Sequence, residues 1–222
     1  MPFRIAFALG LAFCALGAAA CLGRSPDVHY YALGFEPLPP ADRVAPEVAV
    51  QIGPVRLPAY LERPELARRR TSGEIELDAT HRWLDSFERN FLRAVSLGVG
   101  ERLASTRVVA HPSKAPFPID YRVRLHVDDL IVDGVDTLHV RIRWALIGPR
   151  DRSSDSGAAP PARLFTFETR RERVGSGAAA RVGAYEAVLD ELATRIAAII
   201  AEAETGGQAP AAAPEAGPAT GA

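Results

Sequence analysis

YRVRLHVDDLIVDGVDTLHVRIRWAL, residues 121–146, is the stretch that decides the fold. Tyr121, Val123, Leu125 and Val127 alternate with Arg122, Arg124, His126 and Asp128. Leu138, Val140, Ile142, Trp144 and Leu146 alternate with His139, Arg141, Arg143 and Ala145. A period of two puts each apolar set on one side of an extended strand. Asp133-Gly134 between them signals a hairpin, because a tight turn between twisted strands needs residues that accept positive φ. A two-residue turn there sets Arg124 opposite Arg143, a like-charge pair that weakens a ladder. A turn two residues longer, Asp133–Asp136, sets Asp128 opposite Arg141 instead, and charge favours that register. Either keeps the apolar set together, since a shift of two leaves parity unchanged.

Working outward, Arg163–Arg171 reads as a third strand with Phe165 and Phe167 inward and Glu168 outward. The Ser/Gly/Pro-rich segment from Pro149 to Ala162 is a loop. Two stretches carry the helical period. Trp83/Leu84, Phe87, Phe91, Val95, Val99 and Leu103 form one stripe, with Gly98 and Gly100 weakening its later turns by about 1 kcal/mol each. Val182, Tyr185, Val188/Leu189, Leu192, Ile196 and Ile199/Ile200 form the other, from about Ala179 to Ala203. These helices need an apolar sheet face to cover. The opposite face would carry Arg122, Arg124, His126, His139, Arg141 and Arg143, as a solvated, salt-bridged surface or as a contact for an acidic subunit or phospholipid headgroups.

Before the first helix, Tyr30–Leu33 reads as an edge strand and Val48–Ile52 as an alternating strand ended by Gly53-Pro54. Glu74–Leu77 is a short strand, and Arg68–Arg70 before it a solvated turn or a contact for lipid headgroups or an acidic partner. Arg107–Val109 is another short strand, followed by a proline-rich loop from His111 to Pro118. The expected fold is α/β (α+β): one domain with a mainly antiparallel or mixed sheet of about five to six strands and two long helices on one face.

Between Val48–Ile52 and the arginine run lies VRLPAYLERP, residues 55–64. Pro58 and Pro64 fix φ, remove amide donors and push the residues ahead of them to extended geometry. The stretch is therefore a bent connector, and by its residues alone a packed surface loop. Taken with the arginines at 68–70 and with Arg82-Trp83, LPAYLERPEL resembles the signature of the PqiC/YmbA-like auxiliary lipoproteins of ABC-type transport systems. The resemblance spans roughly Tyr30 to Ala203, with its specific motif in Val55–Trp83. The family continues Arg-Trp with Ala-Glu-Pro, where this chain has Leu84-Asp85-Ser86, so the helix-start proline is absent.

The amino terminus agrees with that resemblance. Arg4 precedes an uncharged apolar run, Ile5–Ala20, ending in Gly17-Ala18-Ala19-Ala20-Cys21. As a helix the run spans about 24 Å, short of a hydrocarbon core of about 30 Å. Small residues before a cleavage point mark a secretory signal. The following cysteine resembles the lipobox of bacterial lipoproteins, with Ala18 where leucine is usual. Cys21 would then be acylated as the first mature residue, and Leu22 after it favours the outer membrane by the enterobacterial sorting tendency.

The resulting division is a signal peptide over 1–20, a tether over 21–45 with an early edge strand, a domain over 46–203, and an Ala/Pro/Gly tail over 204–222. The resemblance implies a non-catalytic, periplasm-facing subunit of an MCE-type lipid transporter, with MCE-domain, permease and ATPase partners, a membrane anchor and possible self-association. Leu57, Pro58, Tyr60, Leu61, Arg63, Pro64, Arg82 and Trp83 are the candidate docking residues, Trp83 being a core anchor by its own chemistry. A free-standing lipoprotein that scaffolds outer-membrane assembly is the alternative.

Composition excludes several other classes. A net charge of −1 provides no field to hold nucleic acid. Of 26 basic residues only Lys114 is lysine. The two cysteines, Cys14 and Cys21, both precede the domain, which rules out a disulfide scaffold or a cysteine nucleophile within it. No phosphate cradle, nucleophile elbow or metal-ligand spacing occurs, so neither enzyme activity, cofactor nor metal is expected.

Overall fold

The hairpin forms the middle of the sheet. The computed structural model of the chain describes residues 26–34, 48–148, 162–175 and 177–205. Its strands are β1 (His29–Tyr31), β2 (Val50–Arg56), β3 (Glu65–Arg69), β4 (Ile75–Trp83), β5 (Val108–Ala110), β6 (Tyr121–Val132), β7 (Leu138–Ile147) and β8 (Ala162–Arg171). The helices are α1 (Phe87–Arg102) and α2 (Ala178–Glu204). One mixed sheet of eight strands results, more than the five or six expected.

On one edge, β6 pairs antiparallel with β7, and β7 with β8. Its other edge is shared. β2 runs parallel to the first half of β6, and β3 meets it only near its end, Arg68 beside Val132. β5 lies outside β2, β4 outside β3, and β1 outside β4. Between the contacts of β2 and β3, the edge of β6 has no strand partner.

The hairpin register matches the longer-turn expectation over the far part of the ladder and neither expectation next to the turn. Val132 pairs with Leu138, so five residues make the turn, and Asp129 stands opposite Arg141. A shift between Val127 and Asp129 then brings His126 opposite Arg143, the register of the longer turn. The cause is visible in the apolar order: Tyr121, Val123, Leu125 and Val127 are odd-numbered, whereas the buried Leu130 and Val132 are even. One extra residue, Asp128, must bulge for both sets to face the core.

Three boundaries differ from expectation. β2 does not stop at Gly53-Pro54 but passes through them with a register shift and continues to Arg56. Arg68 and Arg69 belong to β3 rather than to a turn; Arg68 pairs with Glu76 at 2.9 Å and Arg69 with Asp129 at 2.8 Å. Trp83 ends β4 instead of opening a helix, and α1 starts at Phe87, where the Arg89 amide donates to the Ser86 side chain at 3.3 Å. Ser86 thus supplies a helix cap that a proline could not.

Both helices cover one face of the sheet. Phe91, Val95, Leu189 and Ile196 are fully buried against Val123, Ile142 and Leu130. Each such side chain contributes about 1.5–3 kcal/mol by leaving water. Gly98 lets the helices touch: a Cβ there would lie 2.9 Å from that of Ala193. α1 also holds β1, because Asn90 accepts from the Leu33 amide at 3.3 Å and Arg93 donates to the Leu33 carbonyl at 2.7 Å. None of the described helices is long and apolar enough to cross a membrane.

Candidate functional site

The loop from Leu57 to Pro64 leaves β2 where the split in the sheet begins and returns as β3 beyond it. Pro58 is extended, and a single 3-10 turn, Ala59–Leu61, follows, closed by the Leu61 amide on the Pro58 carbonyl at 2.9 Å. The turn buries Leu61 and directs Tyr60 across the gap. There the Tyr60 hydroxyl donates to Asp129 Oδ1 at 2.9 Å and accepts from the Leu130 amide at 3.0 Å. Arg69 grips the same carboxylate with two nitrogens, at 2.8 and 3.2 Å. Burial, with the Asp129 charge added, holds the Tyr60 phenol well above its ordinary range. The Asp129 hydrogen bond likewise raises Arg69.

The two halves of the motif meet at the far end of this loop. The Trp83 amide donates to the Pro64 carbonyl at 2.7 Å. Glu65 lies opposite Arg82 across the β3–β4 ladder, with Arg82 at 3.6 Å and Arg63 at 3.7 Å from its carboxylate. Glu65 Oε2 and Arg82 Nε are buried and carry no hydrogen bond. Trp83 is buried, with its ring 5.0 Å from Phe87 and 6.1 Å from Tyr185.

The candidate docking residues therefore divide by exposure. Leu61 and Trp83 are core, and Leu57, Pro58 and Tyr60 are half-buried supports. Arg63 and Pro64 are exposed, and Arg82 is partly so. Beside them a cleft of about 480 Å³ opens between the loop and the start of α1, lined by Leu57, Leu61, Glu62, Ser86, Glu88 and His126. Cys21, Cys14, the rest of the signal, most of the tether and the carboxyl-terminal tail lie outside the described residues.

Sequence reasoning missed Asp129, Arg69 and Glu65 as parts of this arrangement. The parity break after Val127 was the available signal for Asp129. It also missed a polar cluster under α2. Asp78 accepts from Arg181 at 3.1 Å and from the Thr80 amide at 3.2 Å, and contacts His81 at 3.0 Å. Burial opposes ionisation of Asp78, but those hydrogen bonds win and lower it to about 2. His126 and His139 do not meet: each lies beside its own aspartate, Asp128 at 3.2 Å and Asp133 at 2.8 Å. Among the described residues, no group of three or more His, Cys, Asp or Glu side chains could hold a metal ion.

The comparisons with known proteins support the fold and identify the family. No curated protein matches the chain. The crystal structure of an uncharacterized protein superposes with a TM-score of 0.59 at 13% identity, covering 79% of this chain and 99% of that one. The crystal structure of protein XCC0632 from Xanthomonas campestris superposes with a TM-score of 0.55 at 18% identity, covering 80% and 99%. At such identities the likeness is one of fold. The family model described as the ABC-type transport auxiliary lipoprotein component matches residues 31–197, which include the hairpin, α1, most of α2 and the whole of the 57–83 motif. This chain belongs to the ABC-type transport auxiliary lipoprotein family.

Proposed function

We propose that this chain is a non-catalytic, periplasm-facing subunit of an MCE/ABC-type lipid transporter, held at the outer membrane by acyl chains on Cys21. In this role it docks to the MCE and permease–ATPase components and supports phospholipid traffic between the inner and outer membranes. One observation carries the docking half of this reading. The motif's two halves, eighteen or more residues apart in sequence, are brought to one surface with Trp83 and Leu61 as buried anchors. Arg63, Pro64 and Arg82 are what that anchoring presents outward. The acyl anchor is argued from chemistry: one chain gives only reversible membrane binding, at about 0.8 kcal/mol per buried methylene, and several give stable attachment. Self-association around a lipid conduit belongs to the same proposal.

The test is photo-crosslinking in cells from a photoreactive residue in place of Arg63. Recovery of an MCE-domain protein, lost when Cys21→Ser releases the chain from the membrane, is the expected result. Recovery of porins or assembly factors alone would count against it and favour a free-standing scaffold.

A further inference from the structure

The face of the sheet opposite the helices separates its charges and its apolar groups into neighbouring files. Arg122 and Arg124 point outward from β6, and Arg56 from β2 beside His126. Arg124 lies opposite Ala145 of β7, and Ala145 opposite Leu164 of β8. One step on, Arg122 lies opposite Ile147, and Ile147 opposite Ala162. With strands about 4.8 Å apart, a cationic file on β6 runs about 10 Å from an apolar file on β8. A groove of about 620 Å³ crosses between them, lined by Pro54, Arg56, Arg124, Arg143, Ala145 and Leu164.

Two features distinguish this groove from an ordinary solvated face. Five other arginines at the sheet surface are neutralised: Arg68 and Arg70 by Glu76, Arg69 by Asp129, Arg141 by Glu168 and Arg143 by Asp128. Arg56, Arg122 and Arg124 have no ion pair with another described residue. Beside them Leu164 is 79% exposed, the most exposed of the large apolar side chains described. An isolated exposed leucine needs no explanation, but one flanked by small apolar residues and facing unpaired cations does.

We propose that this groove binds one anionic phospholipid, with its phosphodiester on Arg56 and Arg124 and the first part of its acyl chains over Ala145, Ile147, Ala162 and Leu164. Arginine donates to phosphate oxygens in a planar fork, and it is more weakly hydrated than lysine, so less is lost on contact. The volume lies in the range of small-molecule sites, roughly 300–1,000 Å³. The file on β8 has one large exposed side chain, Leu164, with Ile147 beside it on β7. That is too few for the repeated anchors at i, i+4 and i+7 by which an amphipathic helix seats itself, and enough for hydrocarbon. The inference rests on the lipid-transport reading for the source of its ligand, and on the strand register for its geometry.

The experiment uses the full chain in cells whose phospholipids carry labelled phosphate, with p-benzoylphenylalanine in place of Leu164. Irradiation should transfer the label to the protein. The phosphate label separates bound phospholipid from the chain's own acyl anchor. The same photoreactive residue in place of Leu97, an exposed apolar position on α1, should acquire about a tenth of the label or less. Arg56→Gln with Arg124→Gln should cut labelling at position 164 about tenfold, while Arg141→Gln, in an exposed ion pair, should leave it unchanged. Equal label at positions 97 and 164 would overturn the proposal. So would full labelling in the double variant, or a crosslink at 164 to a protein in place of lipid. Membrane attachment and thermal unfolding of each variant are read in parallel, so loss of fold is not mistaken for loss of the site. The crosslink from position 63 is independent. If it persists while 164 stays unlabelled, only the groove is refuted.

Discussion

The Tyr60 hydroxyl spans the gap between β2 and β3, accepting from the Leu130 amide at 3.0 Å and donating to Asp129 at 2.9 Å. A strand edge left open there would bury a main-chain donor without a partner, which costs about 1–3 kcal/mol. The 57–64 loop is therefore first a closure for the sheet. The docking surface proposed for it would be built on that closure.

Tyr60→Phe tests this directly. It removes one oxygen and no carbon, so the ring still packs while the Leu130 amide and Asp129 each lose a partner. Stability should fall by about 1–3 kcal/mol in urea denaturation. Hydrogen exchange at Leu130 should accelerate more than at Val123 in the same strand. Equal acceleration at both would mean that the hydroxyl has no local role.

Trp83 and Arg63 should separate fold from docking. Trp83→Ala opens a cavity among Phe87 and Tyr185 and should cost about 3–5 kcal/mol. Arg63→Glu, at a side chain 60% exposed, exchanges its pair with Glu65 for a like-charge contact and should cost about 1 kcal/mol, well short of the Trp83 loss. It should nevertheless lower partner crosslinking from neighbouring Pro64, because it reverses the charge presented there. A crosslink yield unchanged in Arg63→Glu would remove Arg63 from the docking surface.

Gly98 should tolerate no side chain despite its place in a helix. Alanine gains about 1 kcal/mol in helix propensity. The added Cβ, however, meets that of Ala193 at 2.9 Å, and overpacking typically costs about 1–3 kcal/mol. Gly98→Ala should be net destabilising, and Ala193→Gly in the same chain should restore most of the loss. Thermal unfolding of the two single variants and the double variant reads the coupling.

Asp78 gives the fold an acid-sensitive contact. Its native pKa, about 2, lies below the value near 3.8 of an unperturbed aspartate, so the native state binds fewer protons than the unfolded chain in that interval. The resulting stabilisation is complete above about pH 4 and disappears as pH falls through about 2. The stability difference between the wild type and Asp78→Asn should be constant above about pH 5 and shrink towards pH 2. A difference independent of pH over that range would show that the Arg181 contact needs no charge on Asp78.

Much of the architecture is local and so was legible in the sequence. Strict alternation gave β7, β8 and β6 as far as Asp128, and a 3.6-residue stripe gave α2 nearly to its ends. The first helix was misjudged at its start because Trp83 and Phe87, four apart, satisfy the helical period while belonging to different elements. A bulge in β4 produces this: Glu65 pairs with Arg82, whereas Leu66 pairs with Asp78, so Trp83 is turned to the core. The arginine run looked solvated because three cations in sequence have no visible neutraliser. Glu76 comes from the adjacent strand and Asp129 from a strand some sixty residues on.

The sequence by itself determined most of the elements but not β3 or the end of β4, together with the side of the sheet that takes the helices and the bent character of residues 57–64, since periodicity and proline geometry act over a few residues. Only the tertiary structure decided where that loop sits, that Tyr60 closes a split sheet with Asp129, and that Arg63 and Arg82 flank one carboxylate. Those relationships depend on which strand edge is left unpaired. That is fixed by the packing of all eight strands together and by no stretch of the chain alone.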